Sequence, residues 1–100
     1  MIELNEWEQV IYVDKSKELT KAQIQYALYE ARKHHRYAKF YCGKYYISIA
    51  FNYDLTVQFS TNYRYNSGFS RELNRMEGYK YQQATVTNFI YYWMNRIRRS

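Results

Sequence analysis

From Tyr45 to Ser60 the chain keeps a two-residue rhythm. Tyr45, Ile47, Ile49 and Phe51 alternate with Tyr46, Ser48, Ala50 and Asn52, and Leu55, Val57 and Phe59 alternate with Thr56, Gln58 and Ser60. A period of two sends successive side chains to opposite faces, so each run reads as a strand with one apolar face. A loop of Asn52, Tyr53 and Asp54 sets Phe51 opposite Leu55 and Ile49 opposite Val57, which brings both apolar sets onto the same side of a hairpin. No helix is expected anywhere in 45–59. Phe40 and Tyr41, before a turn at Cys42 and Gly43, supply a further strand. The β-branched run around Val10, Ile11, Tyr12 and Val13 reads as a short one.

Outside this stretch the period changes to that of a helix. Thr20 and Gln23 form a capping box, flanked by Leu19 and Ile24 at the staple positions, and Ile24, Ala27, Leu28 and Ala31 make one stripe. The spacing predicts a helix over 20–36. Val86, Phe89, Ile90, Trp93 and Ile97 predict a second over 83–98, with Trp93 at the centre of its buried stripe. A short third helix is expected from Ser70, as its cap, to near Glu77, with Gly78 as its stop. A short helix is also conceivable over 4–9, where Trp7 would cover the edge of the core. The fold expected is α+β: a three- or four-stranded antiparallel sheet with two long helices and a short third helix.

The helix, three strands, helix order resembles that of double-stranded-RNA-binding domains. The resemblance is of topology alone. Where those domains carry a lysine cluster at the start of the last helix, this chain has Gln82, Gln83, Ala84 and Thr85, so their function is not carried over.

One hundred residues with 47% apolar content make a single domain, 1–100, with enough material for a core. Fourteen tyrosines are too many for a core of this size, so many must face solvent or a partner. The net charge of +6 is uneven: residues 1–18 sum to −3 and the remainder to +9. A basic field favours phosphates or acidic protein surfaces. Cys42 is the only cysteine, which excludes an internal disulfide and fits a reducing, cytoplasmic setting. Neither a signal peptide nor a membrane span is expected, the longest apolar run being Phe89 to Met94. Abundant Lys, Asn, Tyr and Ile with no Pro is typical of AT-rich coding DNA, as in low-GC bacteria, their mobile elements and phages.

The sequence offers little for catalysis. His34 and His35 are neighbours, about 100° apart on a helix, and with Cys42 they make a poor zinc set. Carboxylates are scattered, and no glycine-rich phosphate cradle is present. No enzyme activity, metal or cofactor is therefore expected.

What stands out is the outer faces of the long helices. Tyr26, Tyr29, Lys33 and Arg36 lie opposite the first stripe. On the last helix Tyr91 and Arg98 share one outer row and Tyr92 and Arg99 another, with Asn88 and Asn95 between them. Rings beside cations stack nucleobases while pairing phosphates, and they are equally the composition of protein hot spots. The free face of the sheet, with Ser48, Ala50, Thr56, Gln58 and Ser60, shows Tyr46 as its only aromatic, so a sheet platform of the RNA-recognition type is not expected, and a helix would serve equally well to cover that face. The function expected is non-catalytic binding of nucleic acid, single-stranded and of low specificity. The alternative is a small inhibitor or adaptor from a phage or mobile element that docks on a host nucleic-acid enzyme, as anti-CRISPR proteins do.

Overall fold

The computed structural model describes residues 9–63 and 66–99. The readings for Trp7 and for a helix over 4–9 therefore lie outside the described residues, apart from Gln9, which is in a strand. The elements run β1 (Gln9–Tyr12), α1 (Lys21–Lys33), β2 (Tyr37–Cys42), β3 (Tyr45–Phe51), β4 (Val57–Thr61), α2 (Ser67–Met76) and α3 (Gln83–Arg98). The order and type of the elements are those expected. No helix among the described residues is long and apolar enough to cross a membrane.

The sheet order is β1-β2-β3-β4. β2, β3 and β4 form an antiparallel meander, whereas β1 runs parallel to β2, so the sheet is mixed rather than wholly antiparallel. The reason is the connection. The chain leaves β1, crosses through α1 and returns in the same direction, and a crossover of that length is what a parallel pair requires.

The capping box of α1 forms: the Gln23 N–H donates to Thr20 Oγ1 at 3.2 Å and the Thr20 N–H to Gln23 Oε1 at 3.0 Å. The helix stops at Lys33, three residues before the expected end. There the N–H of His35 reaches the Arg32 carbonyl at 3.2 Å and the N–H of Arg36 reaches that of Ala31 at 2.9 Å. This is a Schellman closure, with His35 at the left-handed position (φ 52°) that glycine usually takes. Arg36 already belongs to the sheet, its carbonyl accepting from the Phe51 N–H at 3.0 Å.

The β3–β4 hairpin corrects the expected register. Phe51 stands opposite Val57 and Ile49 opposite Phe59, two residues further on. Side chains in the turn decide this. The Asp54 carboxylate accepts from the Thr56 N–H at 3.0 Å and its hydroxyl at 2.6 Å, and the Asn52 carboxamide donates to Thr56 Oγ1 at 2.9 Å. The loop therefore closes between Asn52 and Thr56, and Leu55 is turned out of the strand with φ 71°. A slip of two preserves the faces, so the apolar side is unchanged.

α2 is capped by Asn66 rather than Ser70, the Asn66 Oδ1 accepting from the N–H groups of Gly68 and Phe69 at 2.8 and 3.2 Å. α3 has the bounds expected. Its stripe, with Ile24 and Leu28 of α1, covers Ala38, Phe40, Ile47, Ile49, Phe51 and Val57 to make one core. Asn95, placed between outer rows by the helical wheel, is instead buried at the junction with Leu19. The free edge of β4 is closed by the segment after α2: the Gly78 N–H bonds Val57 O at 2.9 Å, the Tyr81 N–H bonds Leu55 O at 2.7 Å, and the Glu77 carboxylate accepts from the Phe59 N–H at 3.0 Å.

Candidate functional site

Because Ala38, Phe40 and Cys42 point into the core, Tyr37, Lys39 and Tyr41 of β2 point to the other face of the sheet. Cross-strand register then places Tyr12 beside Tyr41 and Tyr41 beside Tyr46. The three rings form a row across β1, β2 and β3. Centroids are 5.4 Å apart for Tyr12 and Tyr41, stacked at 15°, and 5.7 Å apart for Tyr41 and Tyr46, tilted at 45°. Tyr12 is 78% exposed, so this face is open at the end of the row. The expectation that the face carries a single aromatic is therefore overturned. It was drawn from β3 and β4 alone, and most of the rings come from β1 and β2.

The row is held at its Tyr46 end. The Tyr46 hydroxyl lies 3.3 Å from Ser60 Oγ, and its N–H donates to Asn62 Oδ1 at 2.9 Å. In the next row Lys39 Nζ sits 5.1 Å from the centre of the Tyr37 ring. Further cations gather at the β2–β3 turn on the helix side of the sheet. Lys44 Nζ lies 5.4 Å from the Tyr45 ring centre, and the Lys15 side chain passes over Gly43, within 3.5 Å of where a Cβ would stand. Arg98 donates to the Lys15 carbonyl at 3.1 Å. The nearby acid, Asp14, is engaged by the Ser16 N–H and hydroxyl, which hold its carboxyl below the usual range, with Lys17 and Arg98 adding to the effect. Planar rings, hydroxyls and the Lys39 ammonium group thus share one face, a set suited to stacking on flat ligands and pairing with anions.

The helix-face residues divide. Tyr26, Tyr29 and Lys33 are exposed on α1, with Lys33 Nζ 6.0 Å from the Tyr29 ring centre, whereas Arg36, expected on the same face, is exposed beyond the end of the helix because α1 closes at Lys33. On α3, Tyr92 and Arg99 are exposed, and Arg96 donates to the Tyr92 hydroxyl at 3.2 Å. Tyr91 and Arg98 are half-buried, contrary to their outer placement on the wheel. The Tyr91 hydroxyl donates to Glu18 at 2.7 Å, which holds it above the usual phenol range, while its ring packs on the core. Arg98 donates to Asn95 Oδ1 at 3.2 Å as well as to Lys15. Both are spent in fastening the segment 14–19, which crosses α3 where a helical wheel shows only solvent.

The remaining candidates do not assemble. Cys42 is buried, and burial pushes its thiol up. His34 Nε2 lies 3.9 Å from the Glu30 carboxylate, and the His35 ring meets Tyr53 instead. Among the described residues no group of three His, Cys, Asp or Glu side chains could hold a metal ion. Of the residues missed in the sequence, Tyr12, Tyr37, Lys39 and Tyr41, the last three carried a signal, alternating with Ala38, Phe40 and Cys42, which the structure buries.

Comparison with protein-family models, with curated proteins and with solved structures finds no match.

Proposed function

We propose that this protein binds single-stranded nucleic acid without catalysis and with little sequence preference, laying bases on the open sheet face and phosphates along its lysines. The observation that carries the reading is the register of Tyr12, Tyr41 and Tyr46 across three adjacent strands, with Lys39 on the same face of β2. An aromatic plane accepts any base, because every base has a π-face, and a lysine pairs with any phosphate, so such a surface tolerates sequence. A strand-bearing face also suits unpaired bases better than a duplex, whose bases are stacked away. The excess of basic residues supplies the long-range attraction. A cytoplasmic setting belongs to this reading and is supported by Cys42, a free thiol.

The test is binding of a fluorescent oligothymidylate across a salt series. Affinity is expected to fall linearly on logarithmic axes as salt rises, because each phosphate that is neutralised releases counterions. A duplex of the same length should compete poorly. Absence of binding at low salt would remove the reading.

A further inference from the structure

On the helix side of the sheet, away from the tyrosine row, lies a shallow pocket lined by Tyr29, Arg32, Lys33, His35 and Leu55. Tyr53 joins it, its ring 4.5 Å from that of His35. Two features set this place apart. First, Tyr53 and Leu55 project into solvent, 84% and 42% exposed, from one five-residue turn. Second, His35 and Leu55 are the described non-glycine residues with left-handed backbone, and both line this pocket. Glycine would sit at either position with less strain. What histidine and leucine add there is a side chain facing outward, and strain of this kind gathers at binding sites.

The turn is also stiff. Leu55 is held at both backbone ends, its N–H on Asn52 O at 3.1 Å and its carbonyl on the Tyr81 N–H at 2.7 Å. The bonds from Asp54 and Asn52 to Thr56 fix the rest. Little ordering would be needed on binding, which favours affinity.

The geometry points to this pocket as a docking site for a protein segment that presents a large apolar side chain flanked by Asp or Glu. The choice of occupant rests on chemistry. Leu55 has neither a plane to stack a base nor a donor for a phosphate, so an apolar side chain is its complement. Arg32 and Lys33 beside it, with Arg36 after them, ask for carboxylates. The local acids are engaged: Asp54 by Thr56, which holds its carboxyl below the usual range, and Glu30 by its approach to His34. This inference stands independently of the nucleic-acid reading.

The test begins with a random-peptide phage library selected on the whole protein. Enriched peptides should share one bulky apolar residue next to acidic ones. They should bind the Leu55→Gly and His35→Gly proteins at least tenfold more weakly, and Lys33→Glu more weakly still. The two glycine variants suit the existing backbone, so their melting temperatures should not fall, and loss of binding cannot be put down to unfolding. Oligothymidylate binding should be the same in the two glycine variants, which keep the charge of the parent. The inference is overturned if no peptide is enriched, if enriched peptides lack the acidic and apolar pattern, or if they bind the glycine variants as well as the parent. A drop in oligothymidylate affinity with Leu55→Gly would also overturn it, by assigning the pocket to the nucleic-acid surface.

Discussion

The carboxamide of Asn95 pairs with the whole peptide unit of Leu19: its Oδ1 accepts the Leu19 N–H at 2.9 Å, and its Nδ2 donates to the Leu19 carbonyl at 3.0 Å. One side chain on α3 thus does for the buried segment before α1 what a neighbouring strand would do. It also donates to the Tyr91 carbonyl at 2.9 Å within its own helix. Replacing it by leucine keeps the volume but leaves the Leu19 donor and acceptor without partners, at about 1–3 kcal/mol for each orphaned group. Asn95→Leu should lower the urea midpoint accordingly, and the Leu19 amide should exchange faster than in the parent.

Trp93 is 4% exposed and meets Phe69 edge to face at 5.3 Å. Truncating it to alanine should cost about 3–5 kcal/mol, from lost burial and the cavity left behind. For a domain stable by only about 5–15 kcal/mol, thermal unfolding followed by circular dichroism should show a large fall. An unchanged melting temperature would contradict the packing described.

On the open face, Tyr12→Ala and Tyr41→Ala should each weaken oligothymidylate binding by about 1–3 kcal/mol through lost stacking. Lys39→Ala should instead weaken all sequences alike and flatten the salt dependence. The same titrations on Tyr91→Ala separate the sheet from the last helix, since Tyr91 is taken up by Glu18. Its effect should appear in stability and not in affinity.

Leu55→Val and Leu55→Gly should move stability in opposite directions. A left-handed backbone costs an ordinary residue roughly 1–2 kcal/mol, more where a branched Cβ crowds it, whereas glycine adopts it freely and gives back roughly 0.5–1 kcal/mol of that in chain entropy. Thermal melts of the two variants should therefore bracket the parent.

Tyr81 contributes to the loss of stability in alkali. Its hydroxyl is buried without a hydrogen-bond partner among the described residues, and burial raises its pKa to about 12, with Arg32 opposing. An unfolded phenol ionises near pH 10. The folded-state pKa is the higher one, so this contribution is fully present below pH 10 and is lost as pH rises through about 12. Stability measured by urea unfolding should decline over that window, and Tyr81→Phe should shrink the decline.

The sequence carried most of the scaffold because periodicity reports burial. The stripe from Val86 to Ile97 set α3 to its observed bounds, and the alternation in 45–60 set both strands and their faces. Register failed by two because alternation cannot count loop residues. That count was fixed by how Asp54 and Asn52 grip Thr56. The direction of β1 was hidden because a four-residue strand has no polarity in its pattern. The tyrosine row was hidden for a related reason. Tyr12, Tyr41 and Tyr46 are ordinary outward positions on separate strands, and only pairing makes neighbours of them. Asn95 and Tyr91 were misplaced because a helical wheel knows nothing of the segment 14–19 lying across α3.

The parallel pairing of β1 with β2 has a kinetic consequence. β2, β3 and β4 are joined by short turns and can zip locally, whereas β1 must wait for the chain to close through α1, and such long closures come late. Tyr12 is thus delivered to the row last, and it should be the first ring to leave when the domain loosens. A ligand that stacks on Tyr12 would hold the edge strand in place, so occupancy and completion of the sheet become a single linked equilibrium.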